Sequence, residues 1–187
     1  MILFIKLFLA HLLGDFIWQP NKWVADKETK KHKSIYLYLH VLLHGILAAI
    51  LVGEISFIPY AAFIAITHGF IDFIKLNFQK KKTKRTWFVV DQIAHILILI
   101  AITLLYQNKN MIHFWLDDEF WILVTGIIFI TKPTSIFIKT IISIWNPESQ
   151  NSNQDNSLAN AGNYIGILER LFIFCFILLG HFEAIGF

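Results

Sequence analysis

Hydrophobic residues along this chain fall in long runs, at Ile2 to Trp18, Ile35 to Val52, Ile55 to Phe73, Trp87 to Tyr106, Phe120 to Trp145 and Tyr164 to Phe182. A helix crosses the hydrocarbon core of a bilayer with about 20 mostly apolar residues, and each run is near or above that length. The pattern predicts an all-α fold, an integral membrane bundle of about six transmembrane helices in a single domain over residues 1–187. The fifth run is interrupted by Thr131-Lys132-Pro133-Thr134-Ser135. Proline removes a backbone donor there and the hydroxyls can satisfy the freed carbonyl, so the fifth helix is expected to kink or break at Pro133. Ile136 to Trp145 then either completes the span or lies along the interface. Residues 146–160, rich in Asn, Ser and Gln, read as a flexible polar loop.

The polar separators carry the orientation. Lys22, Lys27, Lys30, Lys31 and Lys33 crowd residues 19–34, and Lys80, Lys81, Lys82, Lys84 and Arg85 crowd residues 77–86, whereas 53–54 and 107–119 hold almost no basic residues. By the positive-inside rule the two basic loops are cytoplasmic and both termini lie outside, with a bacterial inner membrane as the expected location. Anionic lipid headgroups are expected partners of these lysines, nucleic acid is not, and a homo-oligomer is compatible with the pattern.

Composition narrows the function classes. The chain has 187 residues, 56% of them hydrophobic, and a mean hydropathy of +0.59, leaving no stretch for a separate soluble catalytic domain. The first run is expected to be retained as a helix: Lys6 is its only early cation, it contains His11 and Asp15, and Trp18-Gln19-Pro20 is no small-residue cleavage site. The single cysteine, Cys175, sits in the last apolar run, which excludes a disulfide framework and a thiolate metal site.

Four successive apolar runs each hold one polar pair at i,i+4: His11 with Asp15, His40 with His44, His68 with Asp72, and Asp91 with His95. That spacing puts both members on one helical face. Random scattering of the His, Asp and Glu residues would give roughly two such pairs in the whole chain. An ionisable group at the bilayer centre costs at least about 2.5–3.5 kcal/mol, so eight of them need partners, and convergence on a cation supplies one. Each pair also lies within the first or last turns beside a basic loop, roughly 5–15 Å inside the same boundary at 1.5 Å per residue. Imidazole with carboxylate suits Zn best, with Mn or Fe as alternatives, and the number of groups allows one or two ions. Glu169 reads as a candidate general acid/base, with Lys132 and Arg170 as anion holders at similar depth. Glu169 and Arg170 can equally be a plain intramembrane ion pair. His32, His113 and His181 read as surface residues, Lys75 as snorkelling to the interface, and Trp18, Trp23, Trp87, Trp115 and Trp145 as interfacial.

The stretches His11-Leu-Leu-Gly14-Asp15-Phe-Ile-Trp-Gln19, His40-Val-Leu-Leu-His44, His68-Gly-Phe-Ile-Asp72-Phe-Ile-Lys75, Asp91-Gln92-Ile-Ala-His95 and Gly162-Asn-Tyr-Ile-Gly166-Ile-Leu-Glu169-Arg170 resemble those of bacterial membrane proteins in the domain of unknown function 3307 family. The resemblance covers nearly the whole chain and brings no established activity with it. The residues themselves favour a metal-dependent membrane hydrolase of a lipid or lipid-linked substrate. A divalent-cation or proton transporter or channel is the main alternative, followed by a membrane iron oxygenase and a non-catalytic scaffold stabilised by metal. The near-wholly apolar Leu97 to Leu105 and Ile46 to Val52 argue for a one-sided site over a pore.

Overall fold

Why the first apolar run stops where it does is visible at Pro20. In the computed structural model, which describes residues 1–106, 117–143 and 156–186, the first helix α1 (Ile2–Leu12) continues through one π-helical turn at Leu13–Ile17. Extended backbone at Pro20 then turns the chain by 82° into a second helix, α2 (Asn21–Lys30). Residues 19–34, expected as a loop, are therefore largely helical. Their lysines are spread around the helix and give no apolar stripe, so the 3.6-residue signal is missing. Tertiary contacts hold α2 instead: Trp23 stacks on Tyr36 at 5.3 Å, Ser34 Oγ donates to Asp26 Oδ2 at 2.6 Å, and Lys84 pairs with Glu28. The hydrogen bonds from Lys30 and Ser34 hold the Asp26 carboxyl below the ordinary carboxylate range.

The chain continues as α3 (Ile35–Val52), α4 (Ile58–Phe78), α5 (Lys84–Leu105), α6 (Asp118–Ile130), α7 (Lys132–Ile142) and α8 (Asn156–Leu179). Five helical stretches are long and apolar enough to cross a membrane, at Ile35–Val52, Ile55–Phe78, Lys81–Leu105, Asp118–Ile142 and Ala161–Leu179, or six if the bent first pair counts as one span. The basic connection at 77–86 shrinks to a short 3-10 turn at Lys81–Thr83 between α4 and α5. Residues 156–160 belong to α8 rather than to the polar loop, whose remainder, 146–155, lies outside the described residues with His113, Trp115 and Trp145.

The described chain forms two units, Met1–Thr125 and Gly126–Phe187, with the boundary inside α6. In the first, α1 packs on α3 and α5 and α4 packs on the same two helices, closing a ring of four. At the end away from the basic connections the ring is filled by Leu3, Leu7, Val52, Phe57, Leu99 and Ile102. Close approach of α3 and α4 depends on small residues: a Cβ on Gly69 would lie 2.6 Å from Val41 Cγ2, and one on Gly45 would lie 3.1 Å from the Ala65 Cβ. The outward faces are apolar, with Ile46, Ile50, Phe63, Phe70, Ile93 and Leu97 exposed.

Polar groups also stand at that far end, just outside the apolar stretches Ile46 to Val52 and Leu97 to Leu105. Tyr106, closing α5, donates its hydroxyl to Glu54 Oε2 at 2.8 Å and lies 2.7 Å from Ser56 Oγ, tying the α3–α4 connection to α5. Lys6, only 3% exposed, places its ammonium 4.9 Å from the Trp121 ring centre. Loss of the hydroxyl in Tyr106→Phe removes a hydrogen bond to a carboxylate, worth about 1.5 kcal/mol. The melting midpoint is expected to fall by about 3–6 °C, as read by a thermal melt.

In the second unit the helical run ends at Ile130 and restarts at Lys132, with Pro133 in the first turn of α7 where its missing N–H costs nothing. The interruption thus sits at Thr131, two residues before the proline. Arg170 donates from Nε to the Ile130 carbonyl at 2.7 Å and from Nη2 to Ser135 Oγ at 2.6 Å. Thr131 and Thr134 hydroxyls take the Ile128 and Phe129 carbonyls. The freed backbone groups are satisfied by the hydroxyls, as expected, and by Arg170 besides.

Candidate metal centre

Each helix of the ring delivers its polar pair inward. His11, His40, His44, His68, Asp72, Asp91 and His95 are buried and Asp15 nearly so. The π-helical turn begins between His11 and Asp15, and single π turns inside α-helices recur at functional sites. It sets Asp15 at the middle of the cluster. His44 Nε2 lies 3.0 Å, His40 Nε2 3.1 Å and His68 Nε2 3.5 Å from Asp15 Oδ1. The other oxygen, Oδ2, accepts from Gln92 Nε2 at 3.0 Å and stands 3.7 Å from His11 Nε2. The five imidazoles touch: His44 stacks on His68 with ring centres 3.6 Å apart, His68 lies 4.0 Å from His95, and His95 lies 5.2 Å from His11. All four sequence pairs therefore meet.

Three overlapping sets of these side chains bring ligand atoms within 4.8 Å of one another: His11, Asp15, His44 and His68; His40, His68 and Asp72; and Asp15, Asp91 and His95. Asp15 and His68 each belong to two sets, with the two Asp15 oxygens facing different partners. Ligand atoms on a zinc tetrahedron with bonds of about 2.0–2.1 Å sit roughly 3.3–3.4 Å apart. The edges of 3.0 to 3.5 Å around Asp15 Oδ1 are of that size. The donor chemistry fits a divalent ion on a second count. Asp91 Oδ1 and both His95 ring nitrogens are buried with no hydrogen-bond partner among the described residues, since the 3.9 Å between His95 Nδ1 and Asp91 Oδ1 exceeds hydrogen-bond reach.

Four further residues stand in this centre that the sequence did not assign to it. Gln19 donates to the His40 ring at 3.0 Å, and Gln92 joins Asp15, Asp91 and, through Oε1 at 3.2 Å, His11. Both stand inside the quoted motif stretches, Gln19 four residues after Asp15, and that spacing was the available signal. Lys75 turns inward instead of snorkelling: its Nζ lies 2.7 Å from Asp91 Oδ2 with 23% of the side chain exposed. The Asp72-to-Lys75 spacing of three residues marks it as a neighbour of the site. Lys27 reaches from α2 to Asp72 Oδ2 at 2.9 Å and is 7% exposed. No local pattern separates it from the other lysines of its segment. Lys132 and Glu169 are exposed residues of the second unit, where Arg170 serves the chain break at Thr131.

A family model described as protein of unknown function (DUF3307) matches residues 3–124. The chain belongs to this family. The DUF3307 match includes all eight residues of the four pairs together with Gln19, Lys27, Lys75 and Gln92, and ends before Lys132, Glu169 and Arg170. No curated protein and no solved structure matches the chain.

Proposed function

We propose that this protein is a membrane-embedded metal-dependent enzyme, a hydrolase of a lipid or lipid-linked substrate whose centre lies near the cytoplasmic face. The observation that carries the reading is the convergence of three imidazole nitrogens on one buried Asp15 oxygen, beside an Asp91–His95 pair with unpartnered ligand atoms. His11, Asp15, His40, His44, His68, Asp72, Asp91 and His95 supply the ligands, and Zn is the preferred ion, with Mn or Fe as alternatives. A divalent ion supplies Lewis acidity there, polarising a phosphoryl or carbonyl oxygen and easing deprotonation of water. Gln92 orients Asp15 and His11 by hydrogen bonding to both. A small cavity with room for about one water molecule, lined by His11, His44, His68 and His95 together with aliphatic Leu7, Ala48, Ile64 and Leu99, adjoins the cluster.

Protein purified in detergent is expected to hold one or two equivalents of metal by elemental analysis. His44→Ala and Asp91→Asn are each expected to lose most of it while helical content is retained. Turnover of lipid esters by the metal-loaded protein, abolished by a chelator and restored by Zn, would support the hydrolase; full metal content in both variants would remove these ligands from the reading. Transport is the competing function, favoured by the buried Lys6, Glu54 and Tyr106 groups at the other end of the ring. The layer of Leu3, Leu7, Leu99 and Ile102 between the two polar regions opposes it, and metal flux into proteoliposomes would reverse the ranking.

A further inference from the structure

Three carboxylates, Asp15, Asp72 and Asp91, and two ammonium groups, Lys27 and Lys75, share one buried layer with the five imidazoles. With the imidazoles neutral, the sum is one negative charge. One divalent ion turns that into one positive charge and a second ion adds two more, and net charge buried among apolar helices is costly. A metal-loaded centre is therefore completed by an anion.

The two lysines indicate which anion. Lysines that only set topology or touch lipid headgroups stay in water, as Lys22, Lys30 and Lys31 do on α2 and at its end. Lys27 is the exception on that helix, carried inward to Asp72 across 45 residues of sequence and buried as the partner of that carboxylate. Lys75 sits one turn beyond Asp72 on α4 and pairs with Asp91. An ammonium has three donors, and a single carboxylate oxygen takes a hydrogen bond from each lysine here. Donors remain for a ligand. A divalent ion and two lysines offer three positive contacts, which match the three non-bridging oxygens of a phosphate monoester better than the two oxygens of a carboxylate.

We infer that the group bound at this centre is a phosphate, held by Lys27 and Lys75 beside the ion. The inference rests on the metal reading of the same cluster. The phosphate is either a lipid headgroup or a free ion, and the two sources are separable by experiment.

Metal-loaded protein is titrated with inorganic phosphate by calorimetry and, in nanodiscs, compared on phosphatidic acid and phosphatidylcholine. Phosphate-bearing probes are expected to bind, with affinity at least tenfold weaker in Lys27→Gln and in Lys75→Gln and unchanged in the exposed-site control Lys22→Gln. Metal content of both variants is expected to stay at the wild-type level, and Lys27→Arg is expected to bind within threefold of wild type. Preference for phosphatidic acid over inorganic phosphate assigns a lipid headgroup, and equal binding of the two assigns the free ion. Wild-type protein that holds metal yet binds no phosphate probe, or variants that bind as wild type does, would overturn the inference and leave the metal reading standing. Loss of metal from both variants would make the lysines supports of the carboxylates and contradict a ligand-holding role. Wild-type protein without metal would remove both readings.

Discussion

Asp15→Asn is expected to weaken metal binding by more than about 100-fold, beyond the 10–100-fold typical of partners that merely orient a ligand. Asn keeps the shape of Asp and removes the charge at the point where His40, His44 and His68 converge. It also presents an amide that cannot serve both as acceptor for three imidazoles and as partner to Gln92. Both overlapping ligand sets that use Asp15 lose a member at once, which makes its effect larger than that of His11 or Asp72, each in one set. Competition with a chromophoric chelator measures the affinity, and circular dichroism checks that the helices persist. Wild-type affinity in Asp15→Asn would take Asp15 out of the ligand set.

Gly14→Ala is expected to lower stability by about 1–3 kcal/mol, the usual cost of overpacking, and to weaken metal binding by about tenfold or more. A Cβ at Gly14 would come within 2.5 Å of His44 Nε2. The ring cannot retreat: it stacks on His68 at 3.6 Å and is bonded to Asp15 at 3.0 Å. Glycine at this place lets α1 approach α3 closely enough for the two helices to share a ligand layer. Gly162 supplies the control, since a Cβ there meets nothing within 4 Å on an exposed part of α8. Gly162→Ala is expected to leave metal binding unchanged and to raise the melting midpoint slightly through helix propensity.

What could be read from the chain and what could not follow one division. Features that repeat along a single helix were legible. The i,i+4 pairs encode a shared face, and their equal distance from the basic segments encodes a shared depth, so the meeting of His11, Asp15, His40, His44, His68, Asp72, Asp91 and His95 followed from helical geometry alone. Features created by contact between elements were not. Lys27 differs from Lys30 only in which side of α2 meets Asp72, and α2 itself is held by Trp23, Asp26 and Glu28 reaching other segments rather than by an apolar stripe. Lys75 could have snorkelled had Asp91 not stood opposite it on α5. The need for glycine at position 14 depends on a ring thirty residues away. Near Pro133 the helix is interrupted only at Thr131, with the proline in the first turn of α7, where its missing N–H costs nothing.

The bond network also separates roles that the sequence merged. Arg170 spends two donors on the Ile130 carbonyl and Ser135, so part of its polarity serves the chain break, while the metal reading stands on the first unit alone. The most direct test of that reading is anomalous scattering from crystals of metal-loaded protein, collected on both sides of the zinc absorption edge. One or two peaks are expected inside the cluster, within coordination distance of Asp15 and at least two of His11, His44 and His68. An absence of signal there in protein that carries metal, or a peak only at a distant surface histidine, would contradict the account.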